Sequence, residues 1–230
     1  MAELPILYED QDIVAVDKPA GLVTHADGRT EEPTAEAWFK ARYPDVTLER
    51  PYVHRLDRDT SGVLIFAKNA DTYEFFRKAF TDREVEKTYL ALVYGVPKEK
   101  KGVIDFAIGR SRKDFRLRSA QPKAKGRLRE AITRYEVLSE REEGGGYYAL
   151  LRLSPETGRT HQLRVHLKAI HHPIVGDTLY APKHQAAFGI GRLALHAASI
   201  NLPSPSGERI HIEAPLPSDL AGAFALFPAA

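Results

Sequence analysis

Along this chain of 230 residues the apolar positions fall into short runs of two kinds, alternating as in strands or repeating at helical spacing. Residues 5–17, PILYEDQDIVAVD, read as two short strands around a polar turn at Asp10–Asp12. KPAGL (18–22) breaks the chain through Pro19 and Gly21. Residues 34–42 have helical character around Ala37, Trp38 and Ala41 and end before Pro44. GVLIFA (62–67) is a continuous apolar run, the pattern of a strand covered on both faces. The spacing predicts a helix over 70–80, capped by Asn69, with Asp71 in its first turn and Tyr73, Phe76 and Phe80 repeating along it. KTYLALVYG (87–95) alternates, Tyr89, Ala91 and Val93 on one face and Thr88, Leu90 and Leu92 on the other.

Further strands are expected at 102–108, 131–138, 147–153, 193–202 and 209–213, with GGG (144–146) as a turn between two of them. THQLRVHLKAIH (160–171) reads as a helix with an apolar stripe of Leu163, Leu167 and Ile170 and a polar stripe of His161, Arg164 and Lys168. No internal repeat, low-complexity linker or clean domain boundary interrupts this order. The expectation is one α+β domain over 1–230, with a mixed, largely antiparallel central sheet flanked by helices and loops.

Composition narrows the class. Apolar residues are 43% and charged residues 28%, which excludes a disordered or collagen-like chain. There is no cysteine, so no disulfide, thiolate metal site or cysteine nucleophile exists. The N-terminus MAELPILYEDQD lacks the basic segment of a secretory signal, and no apolar run approaches the roughly 20 residues of a membrane helix. A soluble, cytoplasmic protein without membrane partners is expected.

The net charge of +2 hides an asymmetry. Residues 109–130, GRSRKDFRLRSAQPKAKGRLRE, carry nine Lys or Arg against two acids, +7 in one segment, which leaves −5 on the rest. Phe115 and Leu117 interleave with the charges, and Pro122 and Gly126 break them up. Such a concentration suggests a polyanion partner, read by a loop that tracks phosphates; a solvated surface hairpin is the alternative.

Several chemistries are missing. No Gly-Lys dipeptide exists, so there is no Walker-type phosphate loop, and no Ser is flanked by Gly two residues away on both sides. His161 and His166 are five apart and His171 and His172 are adjacent, so neither makes a metal-ligand pair, and no metal is expected. The candidate chemistry sits in HRLDRDTSG (54–62), just before the apolar strand, where Asp57 lies between Arg55 and Arg58 with Asp59 close by. A carboxylate near fixed cations stays ionised and can serve as nucleophile or base. A salt-bridged loop closed by Thr60 and Ser61 fits the same spacing.

HRLDRDTSG resembles the central signature of the RluA-type pseudouridine synthases, in which the aspartate of RLD is catalytic, and the resemblance places that role on Asp57. DIVAVDKPAGL (12–22) is similar to the opening of the family's catalytic domain. EKTYLALVYG (86–95) is similar to the segment supplying an active-site tyrosine, here Tyr89. SPETGRTHQLRVHL (154–167) is similar to the one supplying a basic residue that pairs with the aspartate, here Arg164. HPIVGDTLYAP (172–182) and LALHAASINLPSP (193–205) resemble closing motifs, with Ala181 where members often carry Gly. The likeness runs from about residue 6 to residue 217, with these motifs in order along the chain.

The resemblance implies an isomerase that breaks the N1–C1′ bond of uridine in ribosomal (large-subunit) or transfer RNA and rejoins the base through C5, without a cofactor. Asp57 attacks C1′, attacks C6, or assists loss of the base and removal of the 2′ proton. The target uridine is flipped out, with Arg55 filling the vacated space. RNA contacts are expected from Arg116, Arg118, Lys123, Lys125 and His161. The chain resembles the stand-alone subgroup without an N-terminal RNA-binding domain, acting as a monomer. The alternatives are a non-catalytic RNA-binding module on the same fold, and a carboxylate glycosidase using Asp57 and Asp59.

Overall fold

The structure is a computed structural model and describes residues 3–26, 32–112, 114, 117–184, 186–205 and 207–228. Its strands and helices in chain order are β1 (Ile6–Glu9), β2 (Ile13–Lys18), α1 (Ala35–Arg42), β3 (Ser61–Ala67), α2 (Ala70–Thr81), β4 (Glu86–Tyr94), β5 (Lys101–Asp105) and β6 (Ile108–Ser111). β7 (Arg118–Ala120), β8 (Ala124–Arg129), β9 (Ile132–Glu143), β10 (Gly146–Pro155), α3 (Gln162–Ala169), β11 (Leu195–Pro203), β12 (Arg209–Glu213) and α4 (Ser218–Ala225) follow. The fold is α+β with mostly antiparallel strands. The chain divides into two compact units, Met1–Lys87 with Ala197–Leu216, and Thr88–His196 with Pro217–Ala230.

In the first unit the strands lie in the order β1-β2-β3-β11, with β12 beside β11. β3 is buried along its whole length, and two helices explain why. Val63 and Ile65 pack with Ile13, Ala15 and Phe76 of α2, while Phe66 stacks on Phe39 of α1 at 4.8 Å. The continuous apolar run at 62–67 is therefore a strand with a helix-bearing core on each face. Thr34 caps α1 by accepting from the Ala37 N–H at 2.9 Å, and Asn69 caps α2 by accepting from the Thr72 N–H at 2.9 Å. Asn69 and Thr72 also donate to Asp12, tying α2 to the β1–β2 turn. Gly62 lies at φ +115°, and a Cβ there would meet the Ala197 carbonyl oxygen at 2.1 Å, so only glycine lets β3 and β11 lie this close.

The second unit holds two sheets, β4-β10-β9-β5 and the three-stranded β7-β6-β8. β10 pairs antiparallel with both β4 and β9. The single strand expected at 102–108 is two strands: β5 pairs with β9, and after Phe106–Ala107 the chain enters the other sheet as β6. The segment 109–130, expected as a loop or hairpin, is built of β6, β7 and β8. The helix expected over 160–171 is shorter, because His161 sits in the left-handed region at φ 57° and Ile170 lies outside helical geometry at its other end. α4 carries no expectation from the sequence pattern.

Candidate functional site

The segment 51–60 belongs to the first unit and is tied down mostly through its backbone. The Ala67 N–H donates to the Pro51 carbonyl at 2.8 Å and the Val53 N–H to Ile65 at 3.2 Å, so the segment begins as a rider along β3. The Ile65 N–H donates to His54 Nε2 at 3.2 Å. Leu56 is buried, and Thr24 Oγ1 holds both its polar groups, accepting from its N–H at 3.2 Å and donating to its carbonyl at 2.9 Å. The Thr60 N–H closes a turn onto the Asp57 carbonyl at 3.1 Å. The Arg58 carbonyl accepts from the Gly21 N–H at 2.9 Å and from Lys18 Nζ at 3.1 Å.

Lys18 is fully buried, and its ammonium also donates to the carbonyls of Pro19 and Leu22 at 2.8 and 2.7 Å. A buried ammonium surrounded by carbonyl oxygens clamps KPAGL against the Asp57 turn. Asp57 is partly buried between these ties, and Arg55 is exposed. Arg58 points its guanidinium to the Gly21 carbonyl at 3.2 Å and to Glu32 at 3.4 Å. Behind the loop, His54 stacks on Phe80 at 5.4 Å, with Lys87 Nζ 5.9 Å from the same ring. Burial pulls the His54 imidazole down to about 3, with positive Lys87 adding, and pulls the Lys87 amine down to about 8.

The other two sequence candidates lie in the second unit. Tyr89 is partly buried on β4, opposite Leu153 of β10. Arg164, on the polar stripe of the helix, is buried at 5% exposure, and α3 turns it onto Asp177. Its Nε donates to Asp177 Oδ2 at 2.8 Å and its Nη2 to Oδ1 at 2.7 Å, a bidentate pair. Asp177 Oδ1 also accepts from the Leu179 and Tyr180 N–H groups at 3.0 and 2.9 Å. The turn feeding Asp177 requires Gly176, at φ +73°, whose Cβ would meet the Arg192 carbonyl oxygen at 1.9 Å. Ala181 fits where glycine was expected: its N–H donates to the Asp177 carbonyl at 2.8 Å, and its φ is not positive.

Tyr180 is buried beside this pair. The Arg164 guanidinium lies 5.0 Å and Lys168 Nζ 5.5 Å from its ring centroid. Its hydroxyl accepts from the Arg118 N–H at 2.9 Å and shares a hydrogen bond with His161 Nδ1 at 2.9 Å.

In the three-stranded sheet, Arg110 of the central strand stands directly opposite Arg118 of β7 and Lys125 of β8. The register thus draws a row of three cations, and among the described residues none of the three forms an ion pair. Lys123 is exposed in the turn before β8, and Arg116 lies outside the described residues. On the same face as this row, two residues along β6 and β7, Ile108 and Ala120 pack against Val165 and Tyr180.

Lys18, Thr24, Asp177 and Tyr180 are missed by sequence reasoning. Lys18 stood in a segment read as a chain break, and nothing in an apolar pattern marks a lysine as buried. Asp177 and Tyr180 stood in HPIVGDTLYAP, where the only signal was the resemblance to a closing motif. Among the described residues no three His, Cys, Asp or Glu side chains cluster as metal ligands would, and no helix is long and apolar enough to cross a membrane.

Comparisons with known proteins give the family. Residues 12–169 match the family described as RNA pseudouridylate synthase. An RNA pseudouridine synthase of Mycobacterium bovis is 40% identical over 225 residues, which cover 94% of this chain and 70% of the relative. The tRNA pseudouridine synthase C of Haemophilus ducreyi is 39% identical over 216 residues, covering 88% of this chain and 86% of the relative. The solved structure titled human RNA pseudouridylate synthase domain containing 1 superimposes with a TM-score of 0.76 at 30% identity, over 94% of this chain and 84% of that one. Motif order, fold and relatives thus lead to one family, and the chain is a member of the RluA-type RNA pseudouridine synthases.

Proposed function

We propose that this chain isomerises specific uridines of large-subunit ribosomal RNA, transfer RNA or both, with Asp57 as the essential group. The observation that carries the reading is the binding of the Asp57 turn on three sides, through Thr24, Lys18 and the carbonyl–amide bonds to β3. Attack on C1′, attack on C6 and removal of the 2′ proton all require a carboxylate held in one place while the base detaches and turns. A loop fixed by backbone bonds to a fully buried strand meets that requirement.

Arg164 supplies a positive charge that Asp177 orients, and Tyr89 supplies a ring for the uracil. The target nucleotide leaves its stack to reach the site, at a cost of about a few kcal/mol. Arg55, exposed on the same loop as Asp57, fills the space it leaves. The cation row Arg118–Arg110–Lys125, with Lys123, Arg116 and His161, tracks the phosphates. The transfer-RNA arm of the reading is supported by the likeness to tRNA pseudouridine synthase C.

Isomerisation has no net redox change and adds no water, which supports a reaction without a cofactor. One chain carries Asp57, Tyr89 and Arg164, which supports a single catalytic domain acting as a monomer. Action on ribosomal or transfer RNA supports a cytoplasmic location. The test is tritium release from transfer RNA and large-subunit ribosomal RNA transcripts labelled at C5 of uridine. The wild type is expected to release tritium from at least one, and Asp57→Asn to release none while binding the RNA within about threefold. Release at the wild-type rate by Asp57→Asn overturns the assignment. Binding without release by the wild type favours the non-catalytic RNA-binding reading.

A further inference from the structure

Tyr180 makes contacts that no single structural need accounts for. A buried tyrosine requires one hydrogen-bond partner for its hydroxyl. This one has two, the Arg118 N–H of β7 and His161 Nδ1 at the start of α3. The bond to β7 is informative because β7 is the outer strand of the basic sheet, and its Arg118 belongs to the cation row. The Arg118 amide on this edge strand is bound by a side chain 62 residues away.

The ring does separate work. The guanidinium of Arg164 lies 5.0 Å from its centroid, while the pair with Asp177 fixes the guanidinium's other edge. The Tyr180 N–H donates to that same Asp177 carboxylate. Arg164 is therefore set by two groups, and Tyr180 belongs to both arrangements. A cation over a desolvated aromatic face is held more firmly than one in water.

We infer that Tyr180 is a positioning residue that couples the basic three-stranded sheet to Arg164, its hydroxyl holding the edge strand and its ring holding the guanidinium. This rests on the reading of Arg164 as a catalytic residue and of the basic sheet as the RNA-binding surface. The two halves of the side chain have separable consequences. The hydroxyl governs how well the cation row is presented to RNA, and the ring governs how well Arg164 is held during the reaction.

Tyr180→Phe removes the hydroxyl and keeps the ring; Tyr180→Leu removes both. On labelled transfer RNA and ribosomal RNA transcripts, Tyr180→Phe, which loses the hydroxyl's bonds to the Arg118 N–H and to His161 Nδ1, is expected to raise the RNA Kd and KM about fivefold, with kcat within about twofold. Tyr180→Leu is expected to raise Kd by the same factor and to lower kcat about thirtyfold or more. Amide hydrogen exchange provides a readout independent of activity and of the leucine variant's folding. The Arg118 amide exchanges faster in Tyr180→Phe, while amides within β9 and β10 keep their rates.

The inference is overturned if Tyr180→Phe leaves both Kd and the Arg118 amide unchanged, or if it lowers kcat as far as Tyr180→Leu does. Should the wild type itself release no tritium, the functional reading fails. Kd and the Arg118 exchange rate then still decide whether Tyr180 holds the sheet.

Discussion

The Asp57 loop and the basic three-stranded sheet use charge in opposite ways. Around Asp57 a lysine is buried, and its ammonium meets three carbonyl oxygens. In the basic sheet Arg110, Arg118 and Lys125 are aligned by the register itself, and none is matched by an acid among the described residues. Like charges directly opposite one another on neighbouring strands are destabilising. The first arrangement strengthens the fold, while the second tolerates repulsion that an incoming anion would relieve. The contrast separates what the protein needs in order to hold one conformation from what it needs in order to meet a polyanion.

Lys18→Met breaks the comparison on the structural side. It leaves the carbonyls of Pro19, Leu22 and Arg58 without their charged donor in a buried place, and is expected to destabilise the protein by about 3 kcal/mol or more. Urea denaturation measures this directly, and a loss under about 1 kcal/mol would mean that the clamp is not what fixes the loop.

Neutralising the row as Arg110→Gln, Arg118→Gln and Lys125→Gln tests the other side. Stability is expected to stay within about 0.5 kcal/mol or to rise. The slope of log RNA affinity against log salt should flatten by about 2, if each cation accounts for one single-strand phosphate. A large loss of stability with an unchanged slope would make the row structural after all and leave the RNA contacts to Lys123 and the remaining cations.

The same contrast explains how much was legible in the sequence. The elements that bury apolar surface were readable, since β3 and α2 follow from periodicity and from Asn69 as a cap. The family was readable through HRLDRDTSG and the motifs that follow it. The sheet β7-β6-β8 was not, because its strands run to only 3–6 residues and carry cations on the same face as apolar residues, Arg110 with Ile108 and Arg118 with Ala120, which leaves no alternation for a pattern to show. Arg164 was placed on the correct helix, but a helical stripe of His161, Arg164 and Lys168 cannot reveal that Asp177, 13 residues on, returns to pair with it. Partners brought in by tertiary structure leave no mark on local spacing, and Lys18, Thr24, Asp177 and Tyr180 were all missed for that reason.

The ties on the Asp57 loop are themselves unequal, and acid should distinguish them. Four are amide–carbonyl bonds and two run through the Thr24 hydroxyl, all indifferent to pH, but the Ile65 N–H is accepted by His54 Nε2 and needs that nitrogen unprotonated. Burial against Phe80, with Lys87 nearby, lowers the imidazole pKa from 6.5 to about 3. As pH falls the unfolded chain takes up this proton first. The stability contributed by neutral His54 is therefore complete above about 6.5 and is lost progressively toward about 3. His54→Gln keeps an acceptor for the Ile65 N–H and does not titrate. It should therefore lose about 1–2 kcal/mol less than the wild type between pH 7 and pH 5 in urea denaturation. Equal losses in the two proteins would move the acid sensitivity to His166, whose imidazole burial also pushes down, and would leave every tie on the Asp57 loop indifferent to pH.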